Sequence, residues 1–379
     1  MKALHGVRVV DFTQAMAAPF CTMNLADMGA DVIKIEPPGE GEPTRRLGAA
    51  EKNGHSATFM ALNRNKRSLT ADLKRPEGVA IVRRLVETAD VFVQNYRPGV
   101  ADRLGLGWDQ LSAINPLLVY CSISGFGGTG PYASRVTGEE SGAPAKAGIP
   151  VSDLACGLYG AYGILAALEH RDRTGQGQLV DTSLLEAAMA LTVWEATEYW
   201  TTGRTPRAVG SAHRFAAPYQ AIRASDGYFT VGANNDKLYE AFCRAIDRLD
   251  LLDDSRFKTN AERVRNRAEL IREIELTTVG FSRATWLERL ASEGVPCGPI
   301  NSYPETLSDP HTLAREMVVD LVHPGAGEVK ALGIPVKLSD TPGAVDRPAP
   351  LCGEHTTEIL TELGYSEAEH ESFRARGVV

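Results

Sequence analysis

The stretch GVRVVDFTQAMAAPFCTMNLADMGADVIKI, Gly6 to Ile35, reads as strand, helix, strand. Val7 to Phe12 is a short apolar run suited to a buried strand. Ala18 to Met28 reads as a helix closed by Gly29, a residue free to take the left-handed conformation that ends helices. Asp31 to Ile35 is a second strand, which completes a β-α-β unit. The alternation continues downstream. Pro76 to Ala89 is helical with proline in its first turn, Val91 to Gln94 is a buried strand, and Leu117 to Ile123 is another. This order predicts an α/β fold: a Rossmann-like large domain with a parallel sheet flanked by helices, binding its ligands outside the carboxyl ends of the strands.

The rest of the chain divides around that unit. From Asp153, read as the N-capping residue, a helix runs to about His170, a polar turn covers Arg171 to Gln178, and a second helix spans Ser183 to Trp200 with Glu186 at capping-box spacing. We place the large domain at 1–202 and read 203–218 as a linker and site loop without periodicity. Residues 219–309 form a smaller α+β domain, with strands about a turn at Asp226 and Gly227 and helices at Asp236–Arg248, Asn260–Val279 and Ser282–Glu293. The segment 310–379 carries a last helix, His355–Leu363, and is expected to return to the large domain.

Bulk properties exclude several classes. The chain has 379 residues, 43% hydrophobic and 23% charged, with a formal net charge of −8. A nucleic-acid surface needs clustered excess Lys and Arg, so none is expected. The six cysteines, at 21, 121, 156, 243, 297 and 352, show no C-x-x-C spacing, which suggests reduced thiols in a cytoplasmic protein with neither a disulfide framework nor a metal site. The amino terminus lacks the pattern of a signal peptide, and the apolar run Leu154 to Leu168 is too short for a bilayer, so no membrane partner is expected.

The strand at 117–123 empties into SGFGGTGP, with glycine at 125, 127, 128 and 130. Gly125, Gly127 and Gly130 satisfy G-x-G-x-x-G, yet Pro131 follows directly, no helix opens there, and no acidic residue stands about twenty positions on. A dinucleotide turn, and with it NAD, is disfavoured. A plain glycine turn and a loop that aims N–H groups of Gly125, Phe126, Gly127 and Gly128 at a thioester oxygen both remain.

Taken together, NRNKRS at 63–68, NYRPGVADRLGLG at 95–107, YCSISGFGGTGP at 120–131, RDRTGQGQLVDTSL at 171–184, GSAHRFAAPYQ at 210–220, GVPCGPIN at 294–301 and HTTEIL at 355–360 resemble the class III coenzyme A transferases of the CaiB/BaiF type, nearest the succinate–hydroxymethylglutarate branch. The resemblance implies an interlocked homodimer that moves CoA between an acyl-CoA and a small carboxylic or dicarboxylic acid, with coenzyme A as substrate and no metal or NAD. By position it carries coenzyme contacts onto Ala71, Asp72, Leu73 and Lys74 and onto Asn95, Tyr96 and Arg103, with Arg97 an extra cation of this branch. Pro37 and Ser124 stand where some transferases have an arginine and a lysine. The loop holding His213 and Arg214 is similar to the one that closes on the acyl group; His213 either binds a substrate carboxylate or caps its turn.

One departure bears on the chemistry itself. The resemblance implies a Gly-(Tyr/Phe)-Asp tripeptide and a turn of helix between Arg135 and Val136, and about fifteen residues are absent there. The nucleophilic aspartate of the transferases would lie in that stretch, as would the His-Asp pair of the related racemases. No residue of the chain inherits the role. Either the natural chain carries the stretch, or the deletion is real and the product is a CoA-binding pseudoenzyme.

Overall fold

The computed structural model describes residues 1–48, 50–126 and 148–379. Its larger unit comprises the described residues up to Phe126, those from Gly148 to Gly203, and Pro310–Val379; the smaller comprises Arg204–Asp309.

The larger unit contains strands β1 (Arg8–Phe12), β2 (Asp31–Glu36), β3 (Glu51–Lys52), β4 (His55–Ser56), β5 (Arg67–Thr70), β6 (Val91–Gln94), β7 (Val119–Ser124) and β8 (Leu179–Ser183). Six of them form one sheet in the order β5-β2-β1-β6-β7-β8, and every neighbour pair is parallel. The α-helices of its part before Arg204 are α1 (Ala17–Asp27), α2 (Ala57–Leu62), α3 (Pro76–Val86), α4 (Val100–Arg103), α5 (Trp108–Ile114), α6 (Val151–Thr174), α7 (Leu184–Ala190) and α8 (Val193–Thr202).

Side chains alternate across the sheet, as the pleat requires. Val10, Ile33, Phe92 and Tyr120 face one core with Ile81 and Leu85 of α3 and with Ile359 and Phe373 of the carboxyl-terminal segment. Their neighbours Val9, Val32, Val91 and Val119 face a second core with Leu25 of α1 and Ile164 of α6. Both faces are therefore covered, and the strands read as continuous apolar runs. Helix α6 lies close on α1 because of Gly157, where a Cβ would come within 2.6 Å of the Ala17 carbonyl oxygen.

The smaller unit has its own sheet, β9 (Tyr219–Ala224), β10 (Gly227–Gly232) and β11 (Cys297–Pro299) in the order β11-β10-β9, all antiparallel. With it pack α9 (Asp236–Ala245), α10 (Asp250–Asp253), α11 (Asn260–Arg265), α12 (Arg267–Thr278) and α13 (Arg283–Ser292) around Phe229, Phe242, Phe257 and Trp286. Arg263 is fully buried there and satisfied by the carbonyls of Ala217 and Phe257 and by Asp236.

Several expected details differ. The polar turn after α6 leads into β8, which pairs with β7 at the sheet edge. The expected helix from Ser183 to Trp200 is two helices, α7 and α8, broken near Leu191 and Thr192; Ser183 does cap the first, accepting from the Glu186 N–H. Asp153 does not cap α6: Pro150 holds that position and Asp153 lies in the first turn, where its charge suits the helix dipole. The apolar run at 154–168 is part of this 24-residue helix, long and apolar enough to span a bilayer by length and composition, with one face packed on α1 and the sheet. The carboxyl-terminal segment adds an antiparallel ribbon, Val318–His323 with Gly327–Leu332, and a helix, Glu367–Ala375, that periodicity did not suggest.

Candidate functional site

The chain runs outward from β1 to β2 and β5 on one side and returns to β6, β7 and β8 on the other. Connections therefore diverge between β1 and β6, and the rule for open parallel sheets places a ligand crevice outside their carboxyl ends. The loop Thr13–Met16 forms one wall and Asn95–Gly99 the other.

Asn95 joins the two walls. Its Oδ1 accepts the Gln14 N–H at 2.9 Å and its Nδ2 donates to the Gln14 carbonyl at 2.7 Å. Tyr96 stacks on Phe12 at the end of β1, ring centroids 4.3 Å apart, and burial raises the pKa of its hydroxyl. Gln94 fixes this turn from below: its Oε1 accepts the Tyr96 N–H and its Nε2 donates to Ser122 of β7. Arg97 is exposed; Gly99, at φ +77°, lets the chain turn into α4, and the Arg103 guanidinium lies over it.

Ala71–Lys74 follow β5, three strand positions from β6, about 14 Å at about 4.8 Å per spacing. The Ala71 N–H donates to the Glu36 carbonyl and the Asp72 N–H to the Val378 carbonyl, while Asp72 Oδ1 accepts from the Lys74 N–H. Leu73 packs on the core, and the Lys74 side chain faces solvent. The cations Lys74, Arg97 and Arg103 thus stand on the same edge of the sheet.

Gly125 and Phe126 follow β7, beside β6. A Cβ on Gly125 would meet nothing within 4 Å, and its carbonyl accepts the Leu185 N–H. Phe126 is half exposed. Gly127 and Gly128, and the join between Arg135 and Val136, lie outside the described residues. In the smaller unit the His213 Nδ1 accepts the Phe215 N–H at 3.1 Å and its ring stacks on Tyr219. Arg214 is half-buried beside it.

Beneath the crevice is a set of buried charges that sequence reasoning missed. Lys66 pairs with Asp11, Lys34 lies 3.1 Å from Glu42 and donates to the Thr13 carbonyl, and Arg45 grips Glu36 with two 2.6 Å bonds. Burial pushes Lys66 down to about 8 despite Asp11, and raises Glu42 despite Lys34. Burial would also raise Asp11, but Lys66 and Lys34 outweigh it and hold its carboxyl low. Three cations and three carboxylates leave this floor close to neutral, so attraction for an anion falls to the rim. The Thr13–Met16 loop was likewise not singled out. Its importance comes from strand order, which composition does not carry.

Among the described residues no group of three or more His, Cys, Asp or Glu could hold a metal ion. All six cysteines are free thiols.

A family model described as CoA-transferase family III matches residues 4–356. The succinyl-CoA:glutarate CoA-transferase of Mus musculus is 38% identical over 395 residues, covering 100% of this chain and 91% of the relative. The succinate–glutarate CoA-transferase of Agrobacterium fabrum is 38% identical over 381 residues, covering 95% of each. The crystal structure of a CAIB/BAIF family protein from Brucella suis superposes with a TM-score of 0.84 at 39% identity, over 96% of this chain and 99% of that one.

Proposed function

The chain belongs to CoA-transferase family III, and from that premise we propose that it takes CoA from succinyl-CoA and delivers it to a small dicarboxylic acid of about the size of glutarate. The observation that carries this reading is the full-length likeness to transferases of that specificity. The site supports it: an elongated edge lined by Lys74, Arg97 and Arg103 suits a phosphorylated adenosine, and the open backbone at Gly125 suits a thioester carbonyl.

The reaction needs a carboxylate nucleophile. It attacks the thioester carbon and expels CoA as thiolate, leaving an acyl anhydride; the thiolate then forms an enzyme thioester and frees the acid, and the acceptor carboxylate takes up the CoA. The stretch absent between Arg135 and Val136 is where that aspartate is expected. The mouse alignment exceeds the chain by 16 positions, 395 less 379, which is of the expected size. We further infer self-association through the exposed apolar faces of α6 and α8, and place the protein in the cytoplasm, a compartment that suits six unpaired thiols.

The test joins intact mass with isotope exchange between succinyl-CoA and free succinate. A chain heavier than 40.9 kDa by about 1.6 kDa, fifteen residues at the chain's own mean of about 108 Da, that exchanges label supports the transferase. A chain of 40.9 kDa that binds CoA and exchanges nothing makes the protein a CoA-binding pseudoenzyme.

A further inference from the structure

Two of the four hydrogen-bonding positions of the Asn95 amide, one donor and one acceptor, are spent on the chain itself. Both ends of its amide engage the backbone of Gln14, the N–H at 2.9 Å and the carbonyl at 2.7 Å, just beyond the paired ends of β6 and β1. The residue that follows Gln14 is Ala15, at φ +66°. An alanine Cβ disfavours that conformation, which persists only where its surroundings enforce it.

The surroundings are on hand. Lys34, fully buried, donates to the Thr13 carbonyl at 2.9 Å, and the Thr13 hydroxyl donates to Asp11. Those contacts fix the loop on its β1 side. Beyond Ala15, the Met16 carbonyl accepts the Phe20 N–H and α1 begins at Ala17. Asn95 is the tie reaching Gln14 from across the crevice, immediately before the strained residue. Asn95 in turn is steadied by its neighbours, since Gln94 is bonded to Ser122 and to the Tyr96 N–H and Tyr96 is stacked on Phe12.

We propose that Asn95 is a positioning residue: it holds Ala15 in the left-handed conformation and so fixes the Thr13–Met16 wall of the coenzyme crevice, acting on CoA through that loop. The inference rests on the coenzyme reading of the crevice, and the experiment separates the two. If Asn95 works through the loop, glycine at position 15, which takes positive φ without the Cβ penalty, restores what loss of Asn95 removes. If Asn95 touches the coenzyme directly, glycine at 15 restores nothing.

Coenzyme A affinity is measured by calorimetry for the intact chain, Asn95→Ala, Ala15→Gly and the double variant, with amide exchange followed over residues 13–20. Asn95→Ala is expected to weaken CoA binding about tenfold and to expose the Gln14 amide to exchange, and in the Ala15→Gly background the same substitution is expected to cost only a small part of that loss, measured against Ala15→Gly alone. Asn95→Asp keeps the acceptor for the Gln14 N–H and loses the donor to its carbonyl, so its affinity is expected to fall between parent and Asn95→Ala, and it provides the affinity readout, with and without Ala15→Gly, should Asn95→Ala fail to fold. Unchanged affinity in both Asn95 variants, or a loss that Ala15→Gly leaves in place in either background, overturns the proposal. A parent chain that binds no CoA overturns the coenzyme reading instead, and the positional claim is then decided by exchange at Gln14: protection that survives Asn95→Ala refutes it.

Discussion

Lys66 Nζ sits 2.8 Å from Asp11 Oδ2, and neither side chain has any exposure to solvent. Both charges are further satisfied, Asp11 by Thr22 and Lys66 by the Pro19 carbonyl and Asn63. Removing one partner strands the other in the interior, so Lys66→Met is expected to cost about 3–5 kcal/mol, read as a lower denaturant midpoint. The double variant Asp11→Asn, Lys66→Met should cost less than the sum of the singles, because each single leaves an unpaired charge. The pH dependence has a definite sign. Burial lowers the ammonium from its ordinary 10.5 to about 8. Between those values the unfolded chain holds a proton that the fold has shed, so the stability carried by this site rises with pH. The stability difference between parent and Lys66→Met should widen from pH 8 to 10; a flat difference contradicts the assignment.

Glu36 predicts the opposite limb. Burial alone would raise its carboxyl, but hydrogen bonds from Arg45 and Ser68 and the charges of Arg45 and Lys34 hold it below its ordinary 4.5. A depressed carboxyl contributes stability that is complete above the unfolded value and is lost as pH falls through the folded one. Acid titration of the melting temperature should therefore show a steeper fall below pH 4.5 in the parent than in Glu36→Gln. The variant should also be weaker at neutral pH, since Arg45 loses its two carboxylate bonds. Parallel acid limbs would show that Glu36 does not govern this range.

Asn65 closes the carboxyl-terminal segment onto the sheet. Its Nδ2 donates to Asp27 and to the Ala344 carbonyl, its Oδ1 accepts the N–H groups of Asp346 and Arg347, and its backbone stands at φ +62°. All four side-chain hydrogen-bonding positions of the amide are filled. Asn65→Gly keeps the backbone conformation and loses the bonds, while Asn65→Ala loses both. The glycine variant should be destabilised by roughly 3 kcal/mol and the alanine variant by about 1 kcal/mol more. Amide exchange at residues 344–347 should accelerate in both; protection retained there would deny the latch.

The same hexapeptide shows what a sequence can and cannot display. NRNKRS at 63–68 was legible as a family mark but not as a job, because its partners are distant in the chain: Arg64 holds Asp27, Lys66 holds Asp11, and Arg67 holds Asp31, Glu358 and Glu362. Strands β1, β2, β6 and β7 were readable from local apolar runs, since each is covered on both faces. Strand β8 was not, because it lies at the sheet edge with Leu179 exposed and Asp181 and Thr182 in its middle, so its apolar signal is weak. The edge proposed for the coenzyme follows from the rule for parallel sheets, and Asn95 was singled out by resemblance; that its amide is bonded to Gln14 could come only from the order of strands. The break between α7 and α8 was missed because Ala190, Leu191 and Thr192 carry neither proline nor glycine.

The final prediction concerns assembly. Tyr162 on α6 is 70% exposed, and Trp194 and Trp200 on α8 are 59% and 78% exposed, with Met189 and Val193 also open. Apolar surface of this size costs about 25 cal/mol for each Å² left in water, and large aromatic patches on soluble proteins mark interfaces. A two-fold dimer presents each substitution twice, so Tyr162→Glu with Trp200→Arg places four charges in one contact. Sedimentation of the parent is expected near twice 40.9 kDa, and of the double variant near 40.9 kDa with increased aggregation, because the uncovered faces retain Trp194 and Met189. A parent that sediments at 40.9 kDa and stays soluble at high concentration would show that these faces have another cover, and self-association would be abandoned.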